Sequence, residues 1–506
     1  MTALLIAEAG ILGVALAQVV RFALKPPVWR EIREAPIAAS LLIILGVIAT
    51  YAAARAAIAW DAARHGCAAA LAGGMLFTAW RARPSYGSRR RFPPGSLGIG
   101  SSIDAIRDRG SYRDQAARHG PLFKTSQFGR PVICILGLAR IRDVFREHGE
   151  SLEGATLPYN KFVPHHMLRY MAEDSHRRLA PVFRSAFASM DLAFAEDSIR
   201  STCSAELDRL ARDSTQNSKT GTNARPYFTR WLVSPICRVF FGLEPDDPRV
   251  GRIASFLPYV VIDRTGGPIW ARRLEKGLDG MADVVRDIAR ERSSNAGAGT
   301  NRTALDALLA TDPDALENDT VARNLVMTVR TSSSDVAGLA DWLFKFLGDH
   351  PEWRQQVRAA GRTAGAPTAS MDPASRFVLE TLRMEQSEYL YRKVTRTFEY
   401  GGYVIPAGWL LRMLIQESHR DPAVFAEPDR FDPDRWIGRA HGRSDYSPFG
   451  ADAHGCMGPR LTHFLARIFV EEVSIGYDWH VVSDGPVVRG NRHRHHWRPS
   501  PHLRVV

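Results

Sequence analysis

Cysteine and lysine are scarce in this chain of 506 residues. Its five cysteines (Cys67, Cys134, Cys203, Cys237 and Cys456) are scattered, odd in number and never spaced as CxxC. That pattern excludes a disulfide-stapled secreted scaffold and leaves no zinc-ribbon signal. Lysine supplies only 7 of the 66 basic residues, so arginine carries most of the formal charge of +12. No interior tract concentrates those arginines with interleaved aromatics, so the charge reads as solvated faces and no nucleic-acid partner is expected. A flavin or nicotinamide domain is also missing: Gly95 to Gly100 (GSLGIG) has the wrong glycine order for a dinucleotide loop. Wholesale disorder is excluded in turn, because 45% apolar and 9% aromatic residues are enough to bury a large core.

The front of the chain is apolar over membrane-spanning length. Ala35 to Ala54 carries no charge, and twenty helical residues at about 1.5 Å each cover the hydrocarbon thickness of a bilayer. Residues 3–24, with Glu8, Gln18 and Arg21, and the shorter 66–80 are further candidate spans. A cleaved signal peptide is disfavoured, since the first residues lack Lys and Arg and no clean small-residue cleavage site comes after them. Residues 1–82 therefore read as a membrane anchor in the lipid bilayer. The basic cluster Arg81, Arg83 and Arg89 to Arg91 predicts that the downstream chain lies on the cytoplasmic side. Residues 83–95, dense in Arg and Pro, read as a stiff linker. Residues 96–506 read as one continuous globular domain.

Within that domain, Pro131 to Leu136 has the apolar run of a strand and Leu138 to His148 the pattern of a helix. Asn318 to Asp349 is a long helical pattern ended by His350-Pro351. Asp372-Pro373 is an N-cap and first-turn pair that opens a helix through Glu385. Tyr400 to Leu414 holds a Gly-Gly turn between short strand patterns, and Asp421 to Pro448 reads as an irregular meander. The fold class is mainly α with a minor β-sheet region.

The most informative stretch runs from Phe449 to Gly458 (FGADAHGCMG), where Cys456 sits in a glycine-rich loop ahead of a helix-like run, Pro459 to Glu472. Backbone N–H groups at a helix N-terminus favour a thiolate, and the small residues Gly455 and Gly458 let a flat macrocycle approach the backbone. Glu380-Thr381-Leu382-Arg383 places Glu380 and Arg383 on one helical face, and Arg435 lies in Phe431-Asp432-Pro433-Asp434-Arg435-Trp436. These three motifs, in this order and spacing, resemble the cytochrome P450 family over residues 92–506. The resemblance implies a P450-like fold and haem b (iron protoporphyrin IX), with Cys456 as axial iron ligand beside Phe449 and Gly458. It implies propionate contacts from His454, Arg392 and His176. It further implies a structural network in which Glu380 lies between Arg383 and Arg435.

Counting back from His350-Pro351 sets Thr331 to Val336 (TSSSDV) against the family's oxygen-activating helix. The usual acid position holds Ser334 and the usual threonine position Asp335, a swapped order. Thr331, Ser334, Asp335 and Gly338 share one face, and apolar flanks predict a buried stripe that relays protons as the catalytic group. The resemblance implies a monooxygenase hydroxylating a lipophilic small molecule with dioxygen and electrons from a separate ferredoxin, flavodoxin or reductase. Arg460 and Arg467 are expected to be exposed and to attract such a partner. The swap keeps a haem-thiolate peroxygenase, dehydratase or isomerase open as an alternative, and behind it a non-enzymatic membrane haem sensor. Phe256 to Val261 (FLPYVV) falls where the family has its substrate entry. Arg489 to Arg498, with His493, His495 and His496, reads as the surface loop of a terminal hairpin rather than a metal site.

Overall fold

The computed structural model describes residues 92–97, 104, 108, 110–127, 130–154, 167–168, 171, 173–217, 221–260, 268–294, 302–362, 372–385, 390–438, 441–451, 454–483, 488–489, 497–498 and 504–505. The expected membrane spans and residues 83–91 of the linker lie outside these. Among the described residues no helix is long and apolar enough to cross a membrane.

The domain begins with α1 (Ser111–His119), β1 (Leu122–Gln127), β2 (Arg130–Leu136), α2 (Leu138–His148) and β3 (Leu152–Gly154). Next come α3 (Glu173–Ser189), α4 (Glu196–Gln216) and the short β4 (Thr222–Asn223). A run of helices follows: α5 (Arg225–Trp231), α6 (Val233–Phe241), α7 (Pro248–Phe256), α8 (Pro268–Ser294), α9 (Ala304–Thr311), α10 (Asp319–Asp349), α11 (Pro351–Ala360) and α12 (Pro373–Met384). The chain continues through β5 (Leu390–Val394), β6 (Phe398–Tyr400), β7 (Tyr403–Ile405), β8 (Leu410–Leu414), the single turn α13 (Ile415–Ser418) and α14 (Pro459–Ile475).

Local chemistry sets these boundaries. Asn318 caps α10 by accepting from Thr320 N–H at 2.9 Å, and Pro351 opens α11 directly after it. Asp372 caps α12 by accepting from Ser375 N–H at 2.8 Å. Gly401 and Gly402 both take positive φ, at 57° and 78°, which is the turn geometry that joins β6 to β7. The main sheet runs β1-β2-β8-β5-β3, with β2 and β8 parallel and the other pairs antiparallel. The flanks of the histidine-rich tail pair as the expected hairpin, Val488 with Arg498 and Arg489 with Trp497.

Two cores form. One packs Ile133, Ile135, Leu411 and Met413 of the sheet against Ile141 and Val144 of α2. The larger is helical and joins Leu343 and Phe344 of α10 to Phe464 and Phe469 of α14. The helix carrying the distal stripe and the helix after Cys456 thus share one packed interior, and close packing fixes one against the other. The linker's end is also fixed. Lys124 Nζ donates to Pro93 O at 2.7 Å and Lys124 N–H to Pro94 O at 2.7 Å, while Phe92 stacks on Trp409. Residues 93–95, the end of the expected stiff linker, are therefore held against β1.

Candidate functional site

Cys456 is exposed, whereas Cys134, Cys203 and Cys237 are buried. Burial pushes the Cys134 and Cys237 thiols up to about 12, which disqualifies them as thiolate ligands. Cys456 Sγ accepts from Gly458 N–H at 3.4 Å, the residue just ahead of α14. Among the described residues a Cβ at Gly458 would meet nothing within 4 Å. The loop closes upstream of the sulfur: Cys456 N–H donates to Phe449 O at 2.8 Å, and Gly450 takes φ +100° with Gly455 Cα 3.2 Å from where a Cβ would stand. Only glycine tolerates that combination. Phe449 is half-buried and meets His463 edge-on at 5.3 Å, and burial lowers the His463 imidazole to about 4, so an uncharged ring backs the loop.

Upstream of the loop, α12 and the meander share a buried ion network. Glu380 and Arg383 have side chains 0% exposed, joined by Arg383 Nε to Oε2 at 2.9 Å and Nη2 to Oε1 at 2.8 Å. Arg435 Nε donates to Glu380 Oε1 at 3.0 Å, Trp436 Nε1 to Oε2 at 3.2 Å and Asp432 N–H to Oε1 at 2.9 Å. Arg383 Nη1 also reaches the carbonyls of His419 and Pro428 at 2.8 and 2.7 Å. One helix thus fastens the meander through charge-assisted bonds that leave neither ion unsatisfied.

His176 and His454 stack at 3.6 Å between ring centroids. Gly154 pairs with Arg392 across β3 and β5, and its missing Cβ would stand 4.0 Å from His454 Cε1. Arg392, buried, donates to Tyr391 O at 2.7 Å and lies over the Phe145 ring. Two imidazoles and an arginine edge therefore converge beside the cysteine loop. An exposed sulfur at a helix N-terminus, an open cradle at Gly458 and these cationic or hydrogen-bonding groups are a donor set that fits a haem and its carboxylates.

The distal stripe is less buried than its flanks predict. Asp335 is exposed and Thr331, Ser334 and Gly338 are half-buried, while Val336, Ala337 and Leu339 are buried. The apolar flanks turn their side chains to the helical core, and the polar face of α10 turns away from it. Ser334 Oγ donates to Asp335 Oδ1 at 3.2 Å, and the hydroxyls of Ser334 and Thr331 lie against the carbonyls of Thr331 and Thr328, at 3.2 and 3.1 Å. Among the described residues nothing stands within 4 Å of a Cβ built at Gly338.

Arg467 is a correction. It is 1% exposed, its Nη1 donating to Glu471 Oε1 at 3.0 Å inside a cluster with Glu196, Arg200 and Glu472. The i, i+4 spacing of Arg467 and Glu471 folds the charge inward on a helix that packs on α4 and α10. Arg460 is exposed, with Nη1 donating to Ala188 O. Sequence reasoning missed His419, Ser447 and Trp436 as members of the site. Their signal was weak: each lies in the meander or at its edge, where no periodicity marks the inward face.

The cytochrome P450 family model matches residues 99–489. The chain is similar to abscisic acid 8'-hydroxylase 3 of Oryza sativa subsp. indica, 24% identical over 441 residues, covering 80% of this chain and 85% of that protein. It is similar to ent-kaurenoic acid oxidase 1 of Hordeum vulgare, 25% identical over 488 residues and covering 87% and 91%. Retinoic acid bound cyanobacterial CYP120A1 matches it in fold with a TM-score of 0.65 at 19% identity, over 82% of this chain and 99% of that one.

Proposed function

The chain belongs to the cytochrome P450 family, whose members carry haem iron, and on that premise we propose that it hydroxylates a lipophilic small molecule with dioxygen and electrons from a separate donor protein. It is a monooxygenase-type oxidoreductase, as its family and its hydroxylase and oxidase relatives have it. The observation that carries the reading is the exposed Cys456 sulfur at the start of α14, behind a meander that Glu380 and Arg383 tie down at Asp432, Arg435 and Trp436.

Haem b, when bound, supplies the oxidising chemistry. Cys456 would hold its iron as a thiolate, kept anionic by the Gly458 N–H and the α14 N-terminus. His454, His176 and Arg392 would hold its carboxylates. Glu380, Arg383 and Arg435 keep the meander and loop in place and touch no reactant. On α10, Ser334 and Asp335 would hold and pass a proton, with Thr331 one turn earlier as an auxiliary donor. The relatives' names carry abscisic and ent-kaurenoic acid, and the matched structure retinoic acid. An apolar carboxylic acid therefore heads the substrate panel, oriented with its carboxylate away from Asp335, since like charges repel. Residues 1–82 would anchor the chain in the bilayer with the catalytic domain cytoplasmic, and exposed Arg460 would meet an acidic electron donor.

The test is purification in detergent, carbon monoxide difference spectroscopy and substrate-induced spin shifts across the acid panel. A thiolate-type spectrum lost in Cys456→Ser, with product formed only when reductant and oxygen are present, is the expected result. Product formed from peroxide alone, without reductant, would favour the peroxygenase reading that the Ser334-Asp335 order supports. Colourless protein despite ample haem supply would sink both.

A further inference from the structure

Between the buried ion network and the cysteine loop stands a histidine that the proposed chemistry does not use. His419 follows α13 and is 0% exposed. Its carbonyl accepts from Arg383 Nη1 at 2.8 Å, and its Nε2 lies 3.0 Å from Ser447 N. Because a backbone N–H can only donate, Nε2 is the acceptor, and the ring is the tautomer with its proton on Nδ1. Among the described residues that Nδ1, itself buried, meets no hydrogen-bond partner. An unsatisfied buried donor is costly and needs an explanation. Burial, reinforced by the Arg383 charge, lowers the imidazole to about 3, so the ring is uncharged at neutral pH. The groups facing it are Arg383 of α12, Arg420 beside it and the Tyr446 ring at 5.2 Å.

From Ser447 the path continues into the loop. Ser447 Oγ donates to Gly450 O at 2.7 Å and Gly450 N–H returns to Ser447 O at 3.3 Å. The adjacent Phe449 carbonyl then accepts from Cys456 N–H at 2.8 Å. A single residue thus holds the ion network by its backbone and the start of the cysteine loop by its ring.

We propose that His419 is a positioning residue whose neutral Nε2, by accepting from Ser447 N–H, transmits the rigidity of the Glu380–Arg383 pair to the Cys456 loop and fixes the sulfur for its ligand role. The proposal rests on the haem-thiolate reading of Cys456, but half of its test does not need haem. A glutamine side chain places an oxygen near the position of Nε2; asparagine is too short to reach it, and phenylalanine keeps the ring but has no acceptor.

The test compares His419→Gln, His419→Asn and His419→Phe in the full chain, reading amide hydrogen exchange over residues 444–458 and the carbon monoxide difference spectrum. The expected result is near-native exchange in the glutamine variant, and exchange at least tenfold faster at the loop in the asparagine and phenylalanine variants. The thiolate-type band should follow the same ranking. Phenylalanine matching wild type in both readouts would show that the ring only fills space, and glutamine failing alongside phenylalanine would show that the acceptor does not position the loop. Either overturns the proposal. Should phenylalanine prevent folding, glutamine against asparagine decides it alone. A wild-type chain with no thiolate band sinks the haem reading, while the exchange ranking still judges His419.

Discussion

Two helices of the site hold a carboxylate in opposite ways. On α12, Glu380 is fully buried and accepts from Arg383, Arg435, Trp436 and the Asp432 backbone. On α10, Asp335 is exposed and accepts from the neighbouring Ser334 hydroxyl. A buried carboxylate committed to so many donors holds its surroundings together, so it braces. An exposed one beside a hydroxyl can gain and lose a proton, so it suits transfer. The difference between structure and chemistry here lies in solvation, not in residue type.

The sharpest way to break this comparison is to remove the buried charge. Glu380→Gln leaves Arg383 and Arg435 facing a neutral group, and loss of one partner from a buried pair costs about 3–5 kcal/mol. The expected outcome is a matching fall in the urea unfolding free energy and loss of haem on purification. A variant that keeps native stability would mean the network braces nothing. Asp335→Asn should do the reverse. Its unfolding free energy should shift by less than about 0.5 kcal/mol because the position is exposed, while product formed per electron consumed falls about 100-fold, the lower end of what a lost acid–base group costs. Restoring the family's usual order with Ser334→Asp and Asp335→Thr together should improve coupling to dioxygen relative to wild type. No change in either variant would remove α10 from proton transfer.

Much of the bracing side was legible in the sequence, and little of the distal side was. Glu380 and Arg383 share a face through their i, i+3 spacing on a capped helix, whereas the partnership with Arg435 was legible only through the resemblance to the family. Elements with strong punctuation were legible as well: Pro373 at the start of α12, and His350-Pro351 after α10. Burial was misjudged wherever a helix carries polar residues inside apolar flanks. Flanks report the average environment of α10, whereas exposure of Asp335 depends on which way one face turns. Arg467 failed in the other direction, since an arginine with a partner one turn away at Glu471 looks solvated until packing brings Glu196 and a buried helix face to it. His419 belongs to no periodic pattern, and its role depends on the path of the meander, which no local signal specifies.

The smallest expected effect separates the buried brace from its outer layer. Asp429, also in the meander, is held bidentately by Arg113 at 2.7 and 2.9 Å and by Arg420 at 2.9 Å. The Arg113 contact, followed by Arg420, lowers its carboxyl to about 2 from 3.8. A depressed carboxyl stabilises the folded chain above the unfolded value and loses that contribution as pH falls through the folded one. Wild type and Asp429→Asn should therefore differ in stability at pH 5 and above and converge between pH 4 and 2. The side chain is 57% exposed, so screening holds the difference to about 0.5 kcal/mol, and added salt should shrink it further. A difference as large as that for Glu380→Gln, or one that widens on acidification, would place the meander's anchorage in its exposed ion pairs instead of in the pair buried on α12.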